Sequence, residues 1–164
     1  MCEAYFEIMS HLGTCSIFYS SSIEETFAIA TQLVGLMERR GVISLEGPLG
    51  AGKTYFVKGV AMALGLEETV TSPTFTLLQI YGTRDNILYH FDFYRLNDES
   101  ETLHLGLDDY FSEYLTLIEW GDKFPSLLPA ETVRVKIKPL QNGLREITWN
   151  LFKAKNTTMD EVVI

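Results

Sequence analysis

The stretch Val42-Ile43-Ser44-Leu45-Glu46-Gly47-Pro48-Leu49-Gly50-Ala51-Gly52-Lys53-Thr54-Tyr55 decides how the rest of the chain is read. Its first five residues are short, apolar and β-branched at the start, as a buried parallel strand is. Gly47 to Thr54 then satisfies G-x-x-x-x-G-K-[ST], and Tyr55 to Leu64 is a helix-compatible run that Gly65 can end. Strand, glycine loop and helix in that order build a polyphosphate cradle. Backbone N–H groups point inward at phosphate oxygens, and the helix N-terminus adds partial positive charge at the same spot. In this cradle Gly47, Leu49, Gly50, Ala51 and Gly52 supply the loop, and Tyr55 follows at the helix start. Lys53 reaches the β- and γ-phosphates of a nucleotide such as ATP, and the Thr54 hydroxyl ligates a magnesium ion (Mg2+) that keeps several waters. Pro48 removes one N–H near the start of the loop and leaves the later donors untouched.

Outward from the loop, the whole chain sets bounds. With 164 residues, one domain with a real core is the expectation, and a second catalytic domain does not fit. No run approaches the ~18 consecutive apolar residues of a membrane span. Met1 to His11 carries Glu3 and Glu7 without Lys or Arg, unlike a secretory signal, so the chain reads as cytoplasmic with no membrane partner. Cys2 and Cys15 are the only cysteines, and they read as free thiols. His11, His90 and His104 lack the spacing of zinc ligands. Thirteen basic against 22 acidic residues give a net charge of −9. Such a surface repels phosphodiester backbones, so no independent nucleic-acid binding is expected, and any contact with RNA runs through a partner.

Thr14 to Ser20 reads as a strand, and Ser22 with Glu25 as a capping box opening a helix through Glu38, with Phe27, Ala30, Leu33, Val34 and Met37 as its core face. Gly41 is its natural stop. Pro73 forces extended geometry on Ser72. Thr76 to Tyr81 and Ile87 to Phe93 read as a hairpin joined by Gly82 to Asn86. Asn97 to Leu105 reads as a short helix with acids near its start, and Leu115 to Glu119 as a second buried strand. Val133, Val135 and Ile137 alternate with basic residues, Asn142-Gly143 supplies turn chemistry, and Ile147, Trp149 and Leu151 alternate again. The predicted fold class is α/β: a single P-loop NTPase domain whose mixed central sheet is flanked by helices and ends in a C-terminal β-hairpin. Its boundaries are 14–152, with an N-terminal extension at 1–13 and a tail at 153–164.

A P-loop binds a nucleoside triphosphate; the reaction depends on what else converges there. Two strand-end acids compete for the metal and the γ-phosphate, Asp92 and Glu119, and the sequence does not rank them. The N-K-x-D tetrad of Ras-type GTPases is absent. The arginines at 39, 40, 84, 95, 134 and 145 do not cluster as a small-molecule kinase requires to clamp donor and acceptor. ATP hydrolysis is the leading reading. A nucleotide-gated binding module and a P-loop kinase are its rivals.

Four motifs, Gly47 to Thr54, Ser72-Pro73-Thr74-Phe75, His90-Phe91-Asp92-Phe93-Tyr94-Arg95-Leu96 and Ile118-Glu119-Trp120, occur in the order and spacing of the TsaE family, also called YjeE, which the chain resembles from about Ile17 to Phe152. The resemblance implies an ATPase that supports or resets a complex of TsaD and TsaB in threonylcarbamoyladenosine modification of tRNA, the transfer chemistry belonging to TsaD. Carried over by motif, Lys53, Asp92 and Glu119 are the catalytic residues, and Thr54, Asp92 and Glu119 surround the metal. Thr74 is the hydroxyl contact of a switch-like loop. Trp120 packs either at the nucleotide or partner surface, or in the core. Pro48 stands where an acidic or amide residue is expected.

Overall fold

The computed structural model describes residues 14–151; the expected extension at 1–13, the tail at 153–164 and Phe152 lie outside the described residues. Seven strands form one mixed sheet: β1 (Thr14–Ser20), β2 (Gly41–Glu46), β3 (Leu78–Thr83), β4 (Asn86–Asp92), β5 (Leu115–Glu119), β6 (Val133–Pro139) and β7 (Arg145–Leu151), in the order β1-β7-β6-β2-β5-β4-β3. The four central strands β6, β2, β5 and β4 are parallel, while β3, β7 and β1 extend the sheet antiparallel at its two flanks. The strand carrying the glycine loop is therefore central, with β5 on one side and β6 on the other. The outer ends of such parallel strands, where neighbouring connections diverge, are where α/β sheets hold ligands.

Two α-helices, α1 (Ile23–Leu36) and α2 (Lys53–Ala63), share one face of the sheet instead of flanking it on both sides. Leu33, Phe56, Val57 and Val60 pack there on Ile43, Leu45, Leu117 and Val135. Gly59 lets the helices meet at backbone distance, since a Cβ on it would lie 2.8 Å from Phe27 Cα. The opposite face, Val42, Phe91, Phe93 and Ile118, is covered by Leu96, Leu107, Phe124 and short 3-10 turns. Strands buried on both faces are continuously apolar, and β5 is buried at every position. β6 instead alternates buried and exposed, as its valines and lysines predict. Among the described residues no helix is long and apolar enough to cross a membrane.

Several local expectations shift. α1 stops at Leu36, not Glu38, because the chain reverses into β2 through left-handed Glu38 and Arg39. Ser22 caps the Glu25 N–H, but the Glu25 carboxylate accepts from Ser21 N at 2.6 Å and Ser21 Oγ. Ala30, Leu33 and Val34 are buried as expected and are joined by Thr26 and Ile29, whereas Phe27 and Met37 are half-buried. The β3–β4 hairpin closes on two residues, Arg84 and Asp85, with Arg84 left-handed; the strands run on to Thr83 and from Asn86. Thr76 stays outside β3 because its N–H, like that of Leu77, turns back to the Pro73 carbonyl. The acidic segment is a 3-10 helix (Glu99–Leu105) held by a capping box of Asp98 and Glu101.

Candidate nucleotide site

The glycine loop leaves β2 along a path only glycine takes at its first position. Gly47 has φ +148°, and a Cβ there would lie 2.3 Å from the Ile137 carbonyl oxygen. The loop carries Lys53 into α2 as its first residue, 4% exposed. Lys53 Nζ donates to the carbonyls of Gly47 (2.8 Å) and Pro48 (3.0 Å) and lies 3.9 Å from the centre of the Trp120 ring. Burial pushes the Lys53 ammonium below its usual pKa, while Glu119, Asp92 and Asp122 pull it back up. Three carboxylates thus keep a cation under the loop.

Parallel register sets the acids. Asp92 and Glu119 are paired neighbours at the ends of β4 and β5, with Leu45 of β2 beside Glu119, so both carboxylates leave the sheet on the helix face. Their surroundings separate them. Glu119 Oε1 accepts from Thr54 Oγ1 at 2.8 Å, and buried His90, two residues before Asp92 on the same face, donates to the same oxygen from Nε2 at 3.0 Å. Asp92 Oδ2 instead accepts from Ser72 Oγ (2.9 Å) and Thr74 Oγ1 (2.5 Å), and its Oδ1 from the Tyr94 N–H (2.9 Å). Each hydroxyl has one proton, and both are spent on Asp92. Glu119 is tied to the helix of the glycine loop, Asp92 to the loop at Ser72–Phe75.

These groups surround one pocket of about 330 Å³, with Leu49 to Tyr55 on one wall and Thr74, Asp92, Glu119 and Trp120 on the other. Gly47 lies beneath it and contributes through its carbonyl. Among the described residues no group of three His, Cys, Asp or Glu side chains could hold a metal alone. A hydroxyl beside a carboxylate fits magnesium, a hard cation that takes oxygen ligands and draws the rest from phosphates and water.

The sequence pattern defining the family described as "Threonylcarbamoyl adenosine biosynthesis protein TsaE" matches residues 20–147. The chain belongs to the TsaE family. It is 42% identical to the tRNA threonylcarbamoyladenosine biosynthesis protein TsaE of Treponema pallidum, over 79% of this chain and 96% of that protein. With the TsaE of Bacillus subtilis it shares 45% identity over 77% of this chain and 79% of the relative. The crystal structure of B. subtilis YdiB superposes with a TM-score of 0.73 at 36% identity, covering 87% of this chain and 88% of that one.

In this TsaE chain, Trp120 is neither a plain core residue nor a surface one. It is half-buried and left-handed (φ 61°), its ring lying over Lys53 and 5.1 Å from Tyr94. Sequence reasoning assigned no role to His90 or Arg145. His90 was legible in principle, because period-two alternation puts it on the face of Asp92. Arg145 was not: it reaches the pocket only through the strand order that sets β6 beside β2 and β7 beyond β6.

Glu46, buried at the end of β2, faces away from the pocket with Oε1 unpartnered and Oε2 3.7 Å from Lys136 Nζ. Burial pushes its carboxyl above the ordinary 4.5; Lys136 and Arg134 oppose this, and Asp122 adds to it. A carboxyl whose pKa is raised by folding contributes stability that is full below the unfolded value and lost as pH rises through the folded one. Glu46→Gln cannot ionise. At pH 7 it should melt about 2–4 °C above the parent, the shift for roughly 1 kcal/mol in a domain of this size, and the gap should close toward pH 4. Thermal unfolding at the two pH values measures this.

Proposed function

We propose that this chain is a cytoplasmic P-loop ATPase that binds ATP with magnesium and supports or resets a TsaD–TsaB type complex in tRNA threonylcarbamoyladenosine biosynthesis, touching tRNA only through that complex. The convergence of Lys53, Thr54, Asp92 and Glu119 on one pocket carries this reading. Lys53 turns from the loop carbonyls to the β- and γ-phosphates and stabilises charge as water attacks in line. Glu119 accepts from the Thr54 hydroxyl, and Asp92 holds Thr74 toward the γ-phosphate side. Magnesium, when bound, would be held by Thr54 and Glu119 and would neutralise the phosphate oxygens. The net charge of −9 argues for a protein partner as the route to tRNA. Hydrolysis measured with and without TsaD and TsaB tests the proposal; no binding to that pair, together with modification indifferent to ATP, would sink it.

A second reading, a nucleotide-gated binding module with incidental hydrolysis, is favoured by one observation. Phe75, 83% exposed under the Arg95 guanidinium at 4.0 Å, sits on the very loop that Asp92 holds. Glu119→Gln separates the readings. The variant should bind ATP within a few-fold of the parent and lose at least about a hundredfold in turnover. Repeated rounds of tRNA modification by that variant would favour the module.

A further inference from the structure

We propose that Arg145 clamps the nucleoside end of the nucleotide, the α-phosphate and base, and so sets affinity without acting at the transferred phosphate. This rests on the nucleotide-binding reading above. Arg145 opens β7, directly after the turn that follows β6, and its side chain lies along the glycine loop. Nε is 3.2 Å, and Cδ 3.5 Å, from where a Cβ on Gly52 would stand, so the side chain lies directly against the loop at that residue. It lines the same pocket as Lys53 and Thr54. The ion pairs among the described residues join Arg40 to Glu38, His90 to Glu119 and Lys136 to Glu46, and none engages Arg145. Arg145 is half-buried and, like several other arginines, meets no carboxylate among the described residues; what sets it apart is its place against Gly52 in the lining of the pocket.

Strand order says which part of the ligand. β2 has β5 and then β4 on one side, with Glu119 and Asp92 at their ends, and β6 and then β7 on the other. The metal and the transferred phosphate belong with the carboxylates. Arg145 stands across the loop from them, where the remainder of the nucleotide must lie. A planar guanidinium there can stack on a purine face while its N–H groups donate to the α-phosphate, which a lysine ammonium cannot do together.

Calorimetric titration of the full chain and of Arg145→Gln and Arg145→Lys with ATP, ADP and inorganic tripolyphosphate tests this, alongside steady-state hydrolysis. Arg145→Gln should weaken ATP and ADP by the same factor, about tenfold or more, as loss of a charge-assisted contact implies. Its fall in kcat/KM should be carried by KM. Tripolyphosphate, which keeps a phosphate at the α position but has no base to stack, should lose clearly less affinity than ATP and ADP, and Arg145→Lys should recover part of the loss because its stem still lies over Gly52. Unaltered ATP affinity in Arg145→Gln would overturn the inference while leaving the nucleotide reading intact. So would tripolyphosphate weakening in step with ATP, or a fall in kcat at unchanged affinity. If the parent protein binds none of the three, the nucleotide reading itself fails and takes this inference with it.

Discussion

Lys53→Ala is expected to reduce ATP turnover by at least about a hundredfold, the scale of losing one preorganised donor to a developing negative charge. The reason lies in how the ammonium is stored. It is 4% exposed, its Nζ is bound by two loop carbonyls, and its charge is kept by Glu119, Asp92 and Asp122 against the cost of burial. The cation is already stripped of water, and to meet a phosphate it exchanges two loop carbonyls for phosphate oxygens. Lys53→Arg should not rescue it, because a forked guanidinium cannot occupy the space between the Gly47 and Pro48 carbonyls and the Trp120 ring. Phosphate release from the purified variants, with unfolding curves as the control for folding, measures both effects. Near-normal activity in Lys53→Ala would remove Lys53 from the chemistry.

Asp92→Ala should fall nearly as far in turnover, for a different reason. Three donors converge on this one carboxylate: the hydroxyls of Ser72 and Thr74, and the Tyr94 N–H. Two of them belong to the loop Ser72–Thr76, whose other ties are the Thr76 and Leu77 N–H groups turned back to Pro73 and the Arg95 guanidinium over the exposed Phe75 ring. Removing the acid should therefore release Ser72–Thr76 as well as a group beside the phosphates. Amide exchange in that segment should quicken in Asp92→Ala while the α2 amides keep their protection. Asp92→Asn, which still accepts a hydrogen bond, should fall between parent and alanine. A variant that loses turnover with no change in loop exchange would place Asp92 in the chemistry alone.

Much of this was legible in the sequence because local rules and global packing agree there. The loop at Gly47–Thr54 needs glycines at fixed offsets, and β2 and β5 needed only an unbroken apolar run. The period-two alternation of Val133, Val135 and Ile137 names the buried side of β6. What escaped depended on partners far away in the chain. The sharing of one face by α1 and α2 depends on the sheet as a whole, and no local pattern distinguishes it from one helix on each side. The division of labour between Asp92 and Glu119 follows from which hydroxyl each meets, Thr74 or Thr54, which lie 18 and 65 residues away respectively. Arg145 was dismissed as unclustered because clustering in sequence was the only kind visible. The extents of α1 and of the β3–β4 hairpin were off by a few residues, where left-handed Glu38, Arg39 and Arg84 bend the chain without a glycine to announce it.

The pairing of Asp92 with Glu119 in adjacent parallel strands also restricts how this chain can change length. Side chains alternate strictly along a strand, so deleting one residue of β5 ahead of Glu119 would send its carboxylate to the opposite face and bring Trp120 into its place. No repacking of side chains repairs such an error. The Arg84–Asp85 tip lies at the far end of β4 from the pocket, where an inserted residue alters only the turn. Insertions engineered into this protein, such as an epitope or a cross-linking handle, therefore belong at that tip, whereas the last turns of β4 and β5 tolerate substitution but not a change in residue count.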